Sequence, residues 1–478
     1  MGFKCNIPKY SILSKKDINI IDDFSIKILK NIGVKIPHKN IINILYEKGA
    51  NIDKNIVKFP EELVREAIEI AGKKHILYGL NRDNKAEFGY GMLNFNGSGG
   101  QYQIVDQKSL KRHNPTIEDL KLSIKIGDSL ENINIVGAMV VPSDISPEIT
   151  DIITFYYLLT STSKPFTGWV FSRESAKVII EMMEIAAGSK EELKNFPFYE
   201  IFIEPISPLS FRKESLEILL EFANAGLPIG FSPMVQVGAT GPCSLIGTIA
   251  QENAEILSGI TIAQCIKPGL PVSYGGIPHI FDMKAQMISF GSPEQALMAA
   301  AMTQVGKFYG FPVYNNTGMS DSKCVDAQYG IESAATLAFG ALAGGDIFGH
   351  LGISGADNAA NLTQLIIDNE MVGYFLRLFS GLNISEIDEA YEEIVNEGIG
   401  GNFLGNDMTV KNFRREIWYP HLFDRLPWDS WKMNKGENII EKAIEKEKTI
   451  KSINKIPPIE DYKLLELKKI LKIKNIKI

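Results

Sequence analysis

A basic surface, long apolar runs, paired cysteines and clustered histidines are all missing from this 478-residue chain. Each gap removes a class of function. The formal net charge is −7, from 50 Lys and Arg against 57 Asp and Glu, so nucleic acid is not an expected partner. No uninterrupted apolar stretch reaches bilayer length, and the start, MGFKCNIPKYSI, lacks the apolar run of a signal peptide. The expectation is therefore a cytoplasmic protein with no membrane contact. Gly2 makes no persuasive lipidation signal, since Asn6 stands where Ser or Thr is required. Cys5, Cys243, Cys265 and Cys324 are scattered, which removes a disulfide framework, a thiol-redox motif and a zinc knuckle. The six histidines (His38, His75, His113, His279, His350 and His421) show no ligand spacing. A spatial site built from Glu204, His279 and His350 is the weakest reading, and no metal is expected. Neither VQVGATG nor the glycine-rich FNGSGGQYQIV has the context of a nucleotide loop, and no nucleophile elbow is present.

What is there is ordinary globular material, 45% hydrophobic and long enough to bury a large core. The first 75 residues read as helices joined by short turns. In DINIIDDFSIKILKNIGVKIP, Ile18, Ile21, Phe24, Ile28 and Leu29 fall near helical spacing, with a stop at Gly33. From His75 to Tyr102 the texture changes to short strands and Gly/Asn turns. A rhythm then begins. Strand-like NINIVGAMVVP, KPFTGWVF, YEIFIEPIS, PIGFSPMVQVG, LPVSYGG, FPVYNN and DIFGHLG alternate with long helical segments, the last at about 358–379. A doubly wound sheet is compatible, but a TIM (β/α)8 barrel suits the number and spacing better. The eighth strand is obscure and is expected near 382–387 or one unit earlier. The expected organisation is an N-terminal helical and small β region (1–114), a barrel catalytic domain (115–434) and a Lys-rich helical tail (435–478). The tail's interspersed glutamates read as a solvated helical face.

In a barrel the site lies at the carboxyl ends of the strands. Those ends offer Trp169, Glu204, Gln236, Tyr274, Asn315 and His350. Glu204 and His350 are the candidate catalytic groups, because a polar side chain on an apolar strand costs several kcal/mol unless it is partnered or used. A core histidine bonded to a carbonyl is the plain alternative for His350, and packing alone is the alternative for Trp169 and Tyr274. The segment FPVYNNTGMSDSKCVDAQYGIE crowds polar groups between two apolar elements. Turn chemistry and an Asp326 cap explain Gly318, Ser320 and Asp326, leaving Asn315, Lys323 and Gln328 for a ligand.

The runs ILKNIGVKIPHKNIINILYEKGANID, SPLSFRKESLEILLEFANAGLPI, GATGPCSLIGTIAQENAEILSGITIAQCIKPGLPV and GMSDSKCVDAQYGIES, with LIIDNEMVGYFLRL and FRREIWYPHLFDRLPWDSW, span nearly the whole sequence. Through them the chain resembles the trimethylamine methyltransferase family, in particular its members without pyrrolysine that resemble glycine betaine:corrinoid methyltransferases. The resemblance implies methyl transfer from a quaternary amine to the Co(I) corrinoid of a separate carrier protein. No tightly bound cofactor is then needed, and a homo-oligomer is expected. It also implies aromatic faces for the cation, for which Trp169, Phe171, Phe202, Tyr274 and Tyr314 are available. Gln236, Asn315, Asn316, Lys323, Gln328 or His350 would meet a betaine carboxylate, which Glu204 would repel. The chain departs from the family pattern at Asn402 and Met408, where histidines are usual. A different betaine is the expected consequence. Two rivals are a non-catalytic ligand-binding or carrier-docking barrel, and a barrel lyase or isomerase with Glu204 and His350 as acid and base.

Overall fold

Short β-branched and aromatic segments, each followed by a capped amphipathic or apolar helix, set the architecture of the computed structural model, which describes residues 2–453, 458–474 and 476. Eight parallel strand segments recur in chain order: β1 (Met92–Gly97), β2 (Val136–Gly137), β3 (Phe166–Thr167), β4 (Ile201–Ile203), β5 (Ile229–Phe231), β6 (Val272–Gly275), β7 (Val313–Asn315) and β8 (Ile347–Leu351). Parallel ladders join β4, β5, β6, β7, β8 and β1 in that order, and Phe3–Lys4 adds an antiparallel edge to β1. β2 pairs with β3 separately. The ladder thins on both sides of that pair, to isolated parallel bridges of Asn96 with Ile135 and Gln101 with Val140 on one side, and to a bond from the Phe166 amide to the Phe198 carbonyl (3.3 Å) on the other. The result is a mixed α/β fold with a large multistranded sheet and flanking helices.

The expected eighth strand is corrected by β1. It comes from the Gly/Asn-rich texture before residue 114, not from 382–387, where Leu382 and Ile384 are exposed and a helix, Ile387–Glu397, begins. The sequence hides β1 because its Leu93/Phe95 alternation is short and is set among asparagines and glycines, which read as turns, although all but its first residue are buried.

A helix follows each strand: Ile117–Ser129, Thr150–Ser161, Arg173–Ala187, Lys213–Ala225, Leu245–Ile266, Pro293–Phe308, Ala327–Ala343 and Leu362–Phe379. Thr116, Ser172, Ser244, Ser292, Asp326 and Asn361 cap six of them through side-chain oxygens, each satisfying an otherwise orphaned amide. Helix Leu245–Ile266 is apolar almost all round, because it is sandwiched between the strands and the helices Lys15–Asn31, Lys39–Glu47 and Glu61–Ile70. The N-terminal region therefore serves as an outer layer. Phe24, expected on the buried stripe of its helix, is exposed, and Ile26 is buried instead.

The tail is more than a solvated face. Ala443 and Ile450 of helix Ile439–Ser452, and Leu467, Ile470 and Leu471 of helix Asp461–Ile473, are buried against the core. Tail residues 454–457, 475, 477 and 478 lie outside the described residues. Among the described residues, no helix is long and apolar enough to cross a membrane.

Candidate active site

Strand parity decides which strand-end residues meet. Successive side chains on a strand point to opposite faces, so Tyr314 and Asn315 cannot share one. Tyr314 turns inward, with its ring 4.8 Å from Phe202 and 6.0 Å from His350. Asn315 turns outward and exchanges bonds with Thr303 on the helix behind (Nδ2 to Oγ1, 3.0 Å). Tyr274 is likewise outward. Its hydroxyl donates to Asn253 Oδ1 at 2.8 Å, in the helix layer. The tyrosine that parity puts inside is therefore Tyr314.

Two glycines make this packing possible. A Cβ on Gly230 would lie 2.4 Å from the Phe202 ring, and one on Gly349 would lie 1.9 Å from the Tyr314 hydroxyl. β8 loses register between Phe348 and Leu351, and His350 adopts φ 67°, in the left-handed region. Such backbone costs a non-glycine residue on the order of 1 kcal/mol and persists where surroundings fix it. Here the irregularity brings the imidazole within 6.4 Å of the Trp169 ring, measured between centroids. Trp169 in turn lies on Gly99 and Gly100, where a Cβ at Gly99 would approach the indole to 3.0 Å. Gly99 and Gly100 of FNGSGGQYQIV are thus explained by close approach to an aromatic ring, and Gly97 by close approach to Met139 and the Gly137 backbone.

Two carboxylates face this aromatic cluster. Glu204, just past β4, retains solvent access although protein surrounds it on nearly every side. That desolvation pushes its carboxyl up to about 7, with the Asp357 charge adding to the shift and Arg212 opposing it. Asp357 sits at φ 64° in the loop after β8 and accepts from Gln101 Nε2 at 2.7 Å. Burial raises it to about 6, against the pull of that bond. Burial lowers His350 to about 4 and His279 to about 3, so both imidazoles are neutral near pH 7. Several polar atoms remain without partners: Asn96 Oδ1, Asn316 Oδ1, and the Nδ1 atoms of His279 and His350. His279 Nε2 stands 3.5 Å from Asn316 Nδ2.

The structure brings together Trp169, Phe202, Glu204, Tyr314 and His350 from the sequence-predicted set. Gln236 lies in a small annex, where Gln236–Val237 pairs with His279–Asp282. The others lie elsewhere. Phe171 is exposed, its amide bonded to Asp151 Oδ2 at 2.8 Å. Lys323 Nζ donates to the Asp321 carbonyl (2.7 Å) and Gln328 Nε2 to Glu332 Oε1 (2.9 Å). The polar crowd of 318–332 is thereby laced to itself: Glu332 Oε2 also accepts from Ser320 Oγ and the Asp321 amide, and Asp321 accepts from the Phe290 amide. Asp357, Gln101 and Asn96 were missed by sequence reasoning. Asp357 and Gln101 stand in Gly/Asn/Ala-rich loops whose composition signals only turns, and Asn96 stands in β1, the strand the sequence hid.

The most distinctive sequence run, QENAE, faces the back of the site. Glu252 accepts from the Ile277 (2.7 Å) and Val235 (3.3 Å) amides, and Glu255 accepts from Ser207 Oγ (2.6 Å) and the Leu209 amide (3.0 Å). Gln251 and Asn253 bond Thr240 and Tyr309. These side chains brace the loops after β4, β5 and β6. Met408 lines an apolar groove of about 760 Å³ between helices Ile387–Glu397 and Asp407–Glu416, and Asn402 is exposed nearby. Neither belongs to the aromatic cluster. Among the described residues, no three or more His, Cys, Asp or Glu side chains are placed to hold a metal.

A parallel-strand α/β enzyme with an aromatic, acidic site at its strand ends is the class these features define. Solved structures share the fold: the Methanosarcina barkeri monomethylamine methyltransferase (MtmB) superposes with a TM-score of 0.54 at 12% identity, over 93% of this chain and 90% of that one. The sequence comparison is sharper. The profile of the trimethylamine methyltransferase (MTTB) family matches residues 2–475, and the chain belongs to that family. It is 32% identical over 433 residues to a glycine betaine methyltransferase of Desulfitobacterium hafniense, covering 90% of each chain. To the trimethylamine methyltransferase MttB of Methanosarcina thermophila it is 28% identical, covering 96% of each. The chain is an enzyme of methyl transfer.

Proposed function

We propose that this enzyme takes a methyl group from a quaternary amine and delivers it to the Co(I) corrinoid of a separate carrier protein. The observation that carries the reading is the meeting of Trp169, Phe202 and Tyr314 with Glu204 and Asp357. Aromatic faces and carboxylates together suit a permanent cation, each face being worth about 0.5–2 kcal/mol depending on desolvation. Glycine betaine or another betaine is the donor favoured by similarity to the Desulfitobacterium relative. Carboxyl-free cations share the same trimethylammonium head.

The reduced corrinoid, as second substrate, supplies the nucleophile and leaves methylated. The residues of this chain have the remaining work. The aromatic faces hold the ammonium with one methyl directed to solvent, and the carboxylates balance its charge until the C–N electron pair returns to nitrogen. The leaving group is then a neutral tertiary amine and needs no proton, which fits imidazoles held neutral. Solvent access at Glu204 gives a carrier-borne group a side from which to approach. Catalysis in this reading is orientation and electrostatics. A sequence written wholly in the twenty usual residues supports the branch without pyrrolysine.

The rest of the proposal concerns organisation. The eight parallel segments close as a (β/α)8 barrel through the two thin seams. The catalytic unit of 115–434 takes its first strand from the 1–114 region, and 435–478 covers it. The setting is cytoplasmic and the assembly a homo-oligomer. The test mixes the enzyme with a reduced cognate corrinoid protein and a panel of quaternary amines, following the cobalt spectrum. Methylation of the carrier by at least one donor is expected. Its absence with every donor, using a carrier proven active, overturns the reading in favour of a non-catalytic binding protein.

A further inference from the structure

Charge inside the cluster discriminates among quaternary amines. A betaine carries its carboxylate one or a few carbons from nitrogen, so a glycine betaine seated on Trp169 and Tyr314 brings that anion into the same enclosure as Glu204 and Asp357. Asp357 is tied through Gln101 to the Gly99–Gly100 stretch on which Trp169 packs. Its charge bears on Glu204, and both acids bear on the Tyr314 hydroxyl. A third negative charge beside them is repelled.

No cation is placed to offset it. Among the described residues the one positive charge acting on Glu204 is Arg212, which is exposed beside helix Lys213–Ala225 and forms no ion pair with it. The Lys323 side chain passes beside Gly355, and its ammonium is engaged by the Asp321 carbonyl. His279 is buried and His350 half-buried, and both are neutral near pH 7. A hydroxyl in place of the carboxylate reverses the situation, because it can donate to Glu204 or Asp357.

We infer that the site is built for a carboxyl-free quaternary ammonium, of the choline or tetramethylammonium class, in preference to a zwitterionic betaine. This rests on the quaternary-amine reading above and narrows it to one charge class. Calorimetric titration of the full-length enzyme at pH 8 with choline, tetramethylammonium and glycine betaine tests it. Choline and tetramethylammonium should bind at least about 10-fold more tightly than glycine betaine. Glu204→Gln and Asp357→Asn should each shrink that ratio by weakening the cations and relieving the betaine. A wild-type enzyme that binds glycine betaine as tightly as choline, or more so, overturns the inference and leaves the methyl-transfer reading standing. A ratio unchanged in both variants also overturns it, since the carboxylates would then not set the preference. Failure of all three compounds to bind, with carrier methylation also absent, removes the quaternary-amine reading itself.

Discussion

Gln101 Nε2 donates to Asp357 Oδ1 at 2.7 Å, joining loops 256 residues apart at the edge of the aromatic cluster. The bond favours the ionised carboxyl, opposing the burial that raises it. It also fixes a residue held at φ 64°. Asp357→Asn should therefore lower kcat/KM by about 10- to 100-fold, mostly through KM, because a group that balances the ammonium acts on the bound ground state too. Gln101→Ala should produce a smaller loss of the same kind, about 3- to 10-fold. Steady-state kinetics with saturating carrier separate the two parameters. An unchanged KM in both variants would remove Asp357 from the site.

The cation is expected to rest on Trp169, whose indole lies against Gly99 and Gly100 and faces His350 across 6.4 Å. Trp169→Ala should weaken ligand binding by about 10-fold, and Trp169→Phe by about 3-fold, in line with the stronger quadrupole of the indole. A bulky substitution at the support should act alike. Gly99→Val places methyl groups where the indole packs and should displace it without touching the ligand. Titration of the three variants with one quaternary amine gives the order. Equal affinity in all would show that Trp169 only packs.

Binding should strengthen as pH rises. Glu204 and Asp357 both have raised values, about 7 and about 6, against ordinary values of 4.5 and 3.8. A cation prefers the ionised forms, so its affinity should climb between about pH 5.5 and pH 8 and level off above. Stability of the free enzyme should run the other way. Between the unfolded and folded values the native state holds more protons, so the contribution of this pair is fullest below pH 4 and is lost as pH rises through 6 to 7. The melting-temperature gain given by a bound cation should accordingly grow with pH. A gain that is flat across that range would show that neither acid meets the ligand.

The sequence was most legible where local chemistry is strong. Seven of the eight strand segments and every helix following a strand from Val136 onward stood out by apolar runs, caps and glycine stops. β1 did not, because MLNFNG places its two alternating apolar residues, Leu93 and Phe95, among asparagines and glycines that read as turns. The site was half legible for a related reason. Trp169, Glu204 and His350 of the candidate cluster follow from strand ends, while Phe202 and Tyr314 enter only as aromatic faces implied by the family resemblance. Whether Tyr274 or Tyr314 faces inward depends on the register of each strand, which one residue of slip reverses. The asparagine pair poses the same question, and Asn315 resolves outward to Thr303. Asp357 and Gln101 were illegible because loops that meet only in three dimensions leave no spacing in the chain.

The most recognisable motif should prove more important to the scaffold than to the chemistry. Glu252 is fully buried and receives the amides of Ile277 and Val235, which belong to the loops after β6 and β5. Burial raises its carboxyl well above the ordinary value, so a neutral isostere is well tolerated electrostatically. Glu252→Gln keeps one acceptor oxygen for the shorter bond but turns an NH2 toward the Val235 amide, so it should cost less than the alanine variant, about 1 kcal/mol. Glu252→Ala leaves two buried amides unmatched, costs about 1–3 kcal/mol, and should lower the melting temperature by about 1–3 °C. Because His279 follows Ile277 by two residues, the alanine variant should also loosen the annex that carries Gln236. Activity should then fall with temperature faster than in wild type, while the glutamine variant stays closer to the wild-type profile. If both variants lost activity equally at low temperature with melting unchanged, Glu252 would be acting on the reaction and not on the loops.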